Sequence, residues 1–132
     1  MIVVDASVLA NAIGDDGSDG RLARDHLRRA QGLAAPDLVD VETVSVLRRR
    51  WLAGDLSGSR FATAVDDLAD LDVERYPTKA FMRRAFELRA NVTAYDACYV
   101  ALAEGLACAL VIADARLAHA PGLRCRVSVV LS

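Results

Sequence analysis

The chain begins Met1-Ile2-Val3-Val4-Asp5-Ala6-Ser7-Val8-Leu9, and the reading of this stretch decides the fold. Ile2, Val3 and Val4 form a short, uninterrupted apolar run. Such a run reads as a strand buried on both faces, as in a parallel sheet. Asp5 follows at once, and small and apolar helix formers follow Asp5. A carboxylate therefore stands where the first strand ends and the first helix begins. In open α/β sheets that edge is where ligands bind.

Working outward, the helix after Asp5 is expected to run to about Ile13. The segment 14–20, rich in Gly and Asp, reads as an acidic turn-forming loop. Leu22, Ala23, Leu27 and Ala30 recur at helical spacing among arginines, which predicts a surface helix. Leu33-Ala34-Ala35-Pro36 is a second strand, stopped by Pro36. In 37–54, Leu38, Val41, Val44, Leu47 and Trp51 keep a helical period over a length too great for one strand. Asp37 with Asp40 suggests an N-terminal cap, and Gly54 a stop. A further helix over 57–71, with Phe61, Val65, Leu68 and Ala69 facing inward, pairs with it as an antiparallel hairpin. A third strand over 72–77 ends at Pro77, and Thr78 is expected to cap a helix with the stripe Phe81, Met82, Ala85 and Leu88. Thr93 opens a helix that is apolar nearly all round and that Gly105 is expected to end. The fourth strand, 109–113, leads into Asp114. A short helix over 115–120 and a last strand over 126–131 finish the chain. Strands separated by helices imply crossover connections and a parallel sheet. The expected fold is a single α/β domain over 1–132, a small parallel sheet flanked by helices with a protruding helical hairpin.

Composition agrees with a globular domain. The chain has 132 residues, 54% of them hydrophobic and 26% charged, so disorder is excluded. No apolar run approaches the ~20 residues that span a membrane. The N-terminus carries no basic leader with an apolar core, so a cytoplasmic protein is expected. Cys98, Cys108 and Cys125 show no CxxC spacing and read as reduced thiols. The net charge of −2 does not by itself advertise a nucleic-acid binder, although Lys79 is the single lysine beside fifteen arginines.

Asp5 and Asp114 end strands. Asp96 lies in the first turn of the apolar helix, and Glu42 near the start of the helix after the second strand. Strand C-termini and the helix N-termini that follow them share one edge of a parallel sheet, so all four carboxylates are expected together. Singly, each has an ordinary role: Asp5 and Asp114 as helix caps, Thr93 with Asp96 as a capping pattern, Glu42 as a solvated residue. Together they repel one another, and burial raises their pKa values. A cluster of this kind calls for a neutralising cation, and all-oxygen ligation suits Mg²⁺ or Mn²⁺. The absence of neighbouring His or Cys argues against zinc. Carboxylate-held Mg²⁺ hydrolyses phosphodiesters without a protein nucleophile, and the sequence has no G-x-S-x-G, P-loop or paired Cys and His.

Four segments carry a resemblance: Val4 to Leu9; Pro36 with Glu42 and Leu47-Arg48-Arg49; Thr93-Ala94-Tyr95-Asp96-Ala97; and Ala113-Asp114-Ala115-Arg116-Leu117-Ala118. In this order, and over the whole chain, the sequence resembles the PIN-domain ribonucleases, and within them the VapC-like toxins of bacterial toxin–antitoxin pairs. The resemblance implies a PIN-like three-layer fold, a metal-dependent endoribonuclease acting on RNA, a cognate antitoxin that occludes the site, and a homodimer. It implies Asp5 and Asp96 as principal metal ligands, Asp114 completing the site, and Glu42 as ligand or as orienter of the attacking water. Ser7 matches a position where a hydroxyl supports the first Asp. Ile112 departs from the pattern, because the family usually carries Thr or Ser two residues before the last Asp.

Arg49 lies seven residues beyond Glu42, on the same helix face, and Arg116 follows the last acid closely. Both are candidates to meet an RNA phosphate, and for Arg49 a solvated helix end serves equally well. Trp51 and Tyr95 are candidates for base stacking, with core or hairpin packing favoured for Trp51. Two other readings compete. A receiver domain phosphorylated on Asp fits the length, but it wants an acidic pair after the first strand and a Lys after the last. A PIN-like module that binds RNA or protein without cutting draws only on Ile112, and the four acids argue against it.

Overall fold

The computed structural model describes residues 1–130. Its elements are β1 (Ile2–Val4), α1 (Ala6–Gly14), α2 (Ser18–Arg29), β2 (Leu33–Pro36), α3 (Val39–Leu52), α4 (Gly58–Asp70), β3 (Glu74–Tyr76), a 3-10 turn (Thr78–Phe81), α5 (Met82–Glu87), α6 (Ala94–Leu106), β4 (Leu110–Ile112), a second 3-10 turn (Ala115–His119) and β5 (Val127–Val129). The five strands are all parallel, in the order β3-β2-β1-β4-β5. β1 is central, and Val3, Val4, Leu110 and Val111 are fully buried, as strands covered on both faces require.

Steps from β1 to β2 to β3 run one way across the sheet, and the step to β4 and on to β5 runs the other. With right-handed crossovers, α1 to α4 cover one face and α5 and α6 the other. The packing follows this division: α1 lies against α2, α3 and α4, while α6 lies against β1, β2 and α5. The direction of winding reverses between β1 and β4. A doubly wound sheet opens its ligand crevice at such a reversal, and Asp5 and Asp114 follow the two strands that flank it.

Several local expectations need correction. Asp37 and Asp40 do not cap α3: its N-cap is Leu38, without a side-chain bond. Asp37 instead accepts from the Thr78 amide, and Asp40 holds Arg75 through two bonds of 2.8 and 3.0 Å. With its amide tied to Asp37, Thr78 is the first residue of the 3-10 turn and caps nothing. The acidic loop is shorter than expected, because α2 begins at Ser18. In α4 the inward residues are Ala64 and Leu68, whereas Val65 and Ala69 face solvent, as does Met82 on α5. α6 runs past Gly105 and ends at Ala107, which takes the left-handed conformation at φ 53°. Gly54 does close the hairpin helix, at φ 84°. Trp51 is 46% exposed and leans on Phe61 at 6.5 Å, so it packs at the hairpin surface rather than in the core. β5 covers part of the expected last strand, and Leu131 lies outside the described residues. The cysteines are free thiols. Among the described residues no helix is long and apolar enough to cross a membrane.

Candidate active site at the sheet edge

The C-terminal edge of the sheet bears a cleft of about 710 Å³ lined by Asp5, Ser7, Glu42, Asp96 and Asp114, with Arg49 and Arg116 at its walls. All seven residues singled out from the sequence reach this one cleft. A larger cavity of about 890 Å³ lies at the far end of α1, where Asp15, Asp16 and Asp19 face Arg50 and Arg60. There Asp16 pairs with Arg60 at 3.1 Å, and Asp15 accepts from the Gly17 amide at 2.6 Å.

Asp5 is placed by the sheet. Its amide donates to the Val111 carbonyl at 3.1 Å, which fixes the end of β1 against β4. Its side chain is also the N-cap of α1, accepting from the Val8 amide at 3.1 Å. The Ser7 hydroxyl lies 2.8 and 2.9 Å from the two carboxylate oxygens and donates to them. Burial dominates the charge balance here and pushes the Asp5 carboxyl up to about 6; the bonds from Val8 and Ser7 pull it back, while Asp96 and Glu42 raise it further. The capping role is thus real, but it does not neutralise the group.

Glu42 projects from the first turn of α3. The Tyr99 hydroxyl donates to its Oε1 at 2.7 Å. Burial raises the Glu42 carboxyl, the Tyr99 bond lowers it, Asp96 raises it and Arg49 lowers it. Asp96 sits in the first turn of α6, whose N-cap Thr93 accepts from the Asp96 amide at 3.1 Å. Desolvation raises its carboxyl first, Thr93 lowers it, and the Asp114 charge raises it. Three neighbouring acids are therefore all held above their ordinary range, by burial first and then by the charge of other carboxylates in the cleft.

Asp114 behaves differently. It caps the second 3-10 turn through the Arg116 amide at 3.0 Å, and its Oδ2 accepts from the Arg116 guanidinium at 2.8 and 2.5 Å. Arg116 thereby holds the Asp114 carboxyl below the usual range. Ile112 is 1% exposed and lines the cleft with an apolar wall, so no hydroxyl from β4 reaches the acids there. Arg49 comes from α3 and Arg116 from the turn after β4. Arg50, beside Arg49, turns away and bonds Asn11 at 2.6 Å. Tyr95 is 64% exposed at the mouth of the cleft.

A divalent cation suits this donor set. The acids are oxygen ligands, three of them repel one another in a partly desolvated cleft, and no His or Cys lines it. Among the described residues no three such side chains stand ready-gathered around one point. Binding would thus draw Asp5, Glu42 and Asp96 inward, and Asp114 would join only by leaving Arg116.

Tyr99 is the residue that the sequence reading passed over. It looked like one more member of an apolar helix. The available signal was its position three residues after Asp96, which places a phenol on the helix face that carries the acid.

A family model described as the PIN domain matches residues 2–123. Ribonuclease VapC9 of Mycobacterium tuberculosis is 43% identical over 130 residues, covering 98% of each chain. The crystal structure of M. tuberculosis VapC20, described as a sarcin-ricin loop cleaving toxin, superposes with a TM-score of 0.66 at 16% identity, covering 83% of this chain and 87% of that one. The structure of PAE2754 from Pyrobaculum aerophilum superposes with a TM-score of 0.63 at 25% identity, over 89% of this chain and 82% of that one.

Proposed function

The chain belongs to the PIN-domain family, among the VapC ribonucleases, and from that premise we propose that it is an endoribonuclease toxin whose cleavage depends on Mg²⁺ or Mn²⁺. One observation supports the reading above the others: Asp5, Glu42 and Asp96, from three separate elements, share a cleft in which the charges of Asp96 and Glu42 bear on Asp5 and that of Asp96 on Glu42. A fold tolerates such repulsion where function requires it.

Asp5 and Asp96 would be the principal metal ligands, with Glu42 beside them and Asp114 joining from its pair with Arg116. When bound, the cation lowers the pKa of a water and stabilises the charge that grows on the phosphate. The chain's own groups supply the rest. Ser7 fixes the Asp5 carboxylate by donating to it. Glu42 accepts from Tyr99 through Oε1, which leaves Oε2 to orient a water or a ligand. Arg49 and Arg116 offer guanidinium groups to RNA phosphates. The exposed Tyr95 ring gives an unstacked base a surface at the entrance.

The exposed apolar residues Val41, Trp51, Leu52 and Val65 of the α3–α4 hairpin support docking of a cognate antitoxin and a second subunit, in a protein working in the cytoplasm. Cleavage of a mixed RNA substrate by wild type and by Asp5→Asn, each with Mg²⁺ and with EDTA, tests the activity. Cleavage by wild type with metal alone is expected. Equal cleavage in all four conditions would remove the assignment.

A further inference from the structure

The acids of the cleft come from two layers that barely touch. Glu42 stands on α3, which packs on α1 and α4 over one face of the sheet. Asp96 stands on α6, which packs on α5, β1 and β2 over the other. α3 and α6 share no extensive packing surface, so helix packing does not set the separation of their acids. The Tyr99–Glu42 bond crosses this gap, and among the described residues no other side-chain hydrogen bond joins α6 to α3.

Tyr99 is well built for the task. It is 2% exposed, so packing fixes its ring on every side. It lies three residues after Asp96 on α6, so the turn that presents the acid also presents the phenol. It stays a donor, because a phenol keeps its proton at neutral pH. A phenol in this state donates its one proton, and the single recorded acceptor is Glu42 Oε1 at 2.7 Å. Without that proton, Glu42 would face Asp96 with only the more distant Arg49 in opposition, and its side chain would be free to swing out of the cleft.

We infer that Tyr99 is a positioning residue, a strut from α6 that holds the Glu42 carboxylate in the cleft, at a set distance from Asp96, for RNA cleavage. The inference rests on the ribonuclease reading for its consequence but not for its geometry. Tyr99→Phe removes one oxygen and leaves the ring. A bond to a charged acceptor of this kind is worth on the order of a ten-fold effect. The expected result is a drop of about ten-fold in kcat with metal, and little change in KM for RNA.

Two comparisons distinguish a strut from simple packing. In a Glu42→Ala background, Tyr99→Phe is expected to have no further effect on kcat, because its acceptor is already gone. By NMR of the metal-free protein, the Tyr99 hydroxyl proton is expected as a downfield, slowly exchanging signal that moves strongly upfield in Glu42→Gln. Equal losses of kcat in both backgrounds would overturn the inference, as would an active wild type that Tyr99→Phe leaves unchanged, or a hydroxyl signal indifferent to Glu42→Gln. A wild type that fails to cleave RNA with metal would count against the ribonuclease reading, while the NMR comparison would still decide the strut.

Discussion

Asp5→Asn should stabilise the metal-free protein at neutral pH while abolishing its activity. In the folded chain the Asp5 carboxyl titrates at about 6, against an ordinary value of 3.8. Each pKa unit is worth about 1.36 kcal/mol, so keeping this group ionised costs the folded state up to about 3 kcal/mol above pH 6. The carboxylate retains an edge open to the cleft, and half of that figure is a fair lower bound, about 1.5 kcal/mol. Asparagine keeps an oxygen for the Val8 amide and carries no charge. The sign follows from proton binding. Between pH 3.8 and 6 the folded state binds more protons than the unfolded one, so wild-type stability falls as pH rises through this window. Above it the penalty is constant, and below it the penalty vanishes. Urea unfolding of both proteins in EDTA should thus show Asp5→Asn ahead by ~1.5–3 kcal/mol at pH 7.5, with the gap closing towards pH 4. A mutant less stable than wild type at pH 7.5, or a gap independent of pH, would refute the reasoning.

Four other changes test the fold that carries the site. The Thr43 side chain is fully buried and its hydroxyl has no partner among the described residues, so Thr43→Val should raise stability by about 1 kcal/mol in urea unfolding. Gly105 has open space around a built Cβ and Ala107 holds a left-handed backbone, so Gly105→Ala and Ala107→Gly should each raise the thermal midpoint, by about 0.5–1 kcal/mol in stability. A Cβ at Gly20 would lie 1.8 Å from the Asp15 carbonyl oxygen; Gly20→Ala should therefore lose more than about 2 kcal/mol, read as a lower urea midpoint.

The parts legible in the sequence were those governed by neighbours along the chain. A β-branched run ending in Asp marks β1 and its edge. Thr93 caps α6 by accepting from the Asp96 amide three residues on. The convergence of Asp5, Glu42, Asp96 and Asp114 followed from parallel topology alone, since that topology sends strand ends and helix starts to one edge. The parts that failed depend on partners far away in sequence. Asp40 looked like a cap because Arg75 is 35 residues on, and their bond cannot be seen from local spacing. On α4 the expected Leu68 does face the core, but Val65 and Ala69 do not, because Ala64, a small residue, is buried in their place. Tyr99 escaped because its acceptor lies 57 residues earlier. Ile112 shows a different limit. Its place in the pattern was visible, but only the structure gives its consequence, an apolar wall beside the acids.

The central claim is that Asp5 and Asp96 hold a divalent cation between the two layers of the fold. Calorimetric titration of the chelator-treated protein with Mn²⁺ tests it most directly, on wild type and on the Asp5→Asn, Asp96→Asn double variant at pH 7.5. The account predicts saturable binding by wild type and its loss in the double variant, with the variant still folded by circular dichroism. Equal Mn²⁺ binding by both proteins, or no binding by wild type, would contradict it.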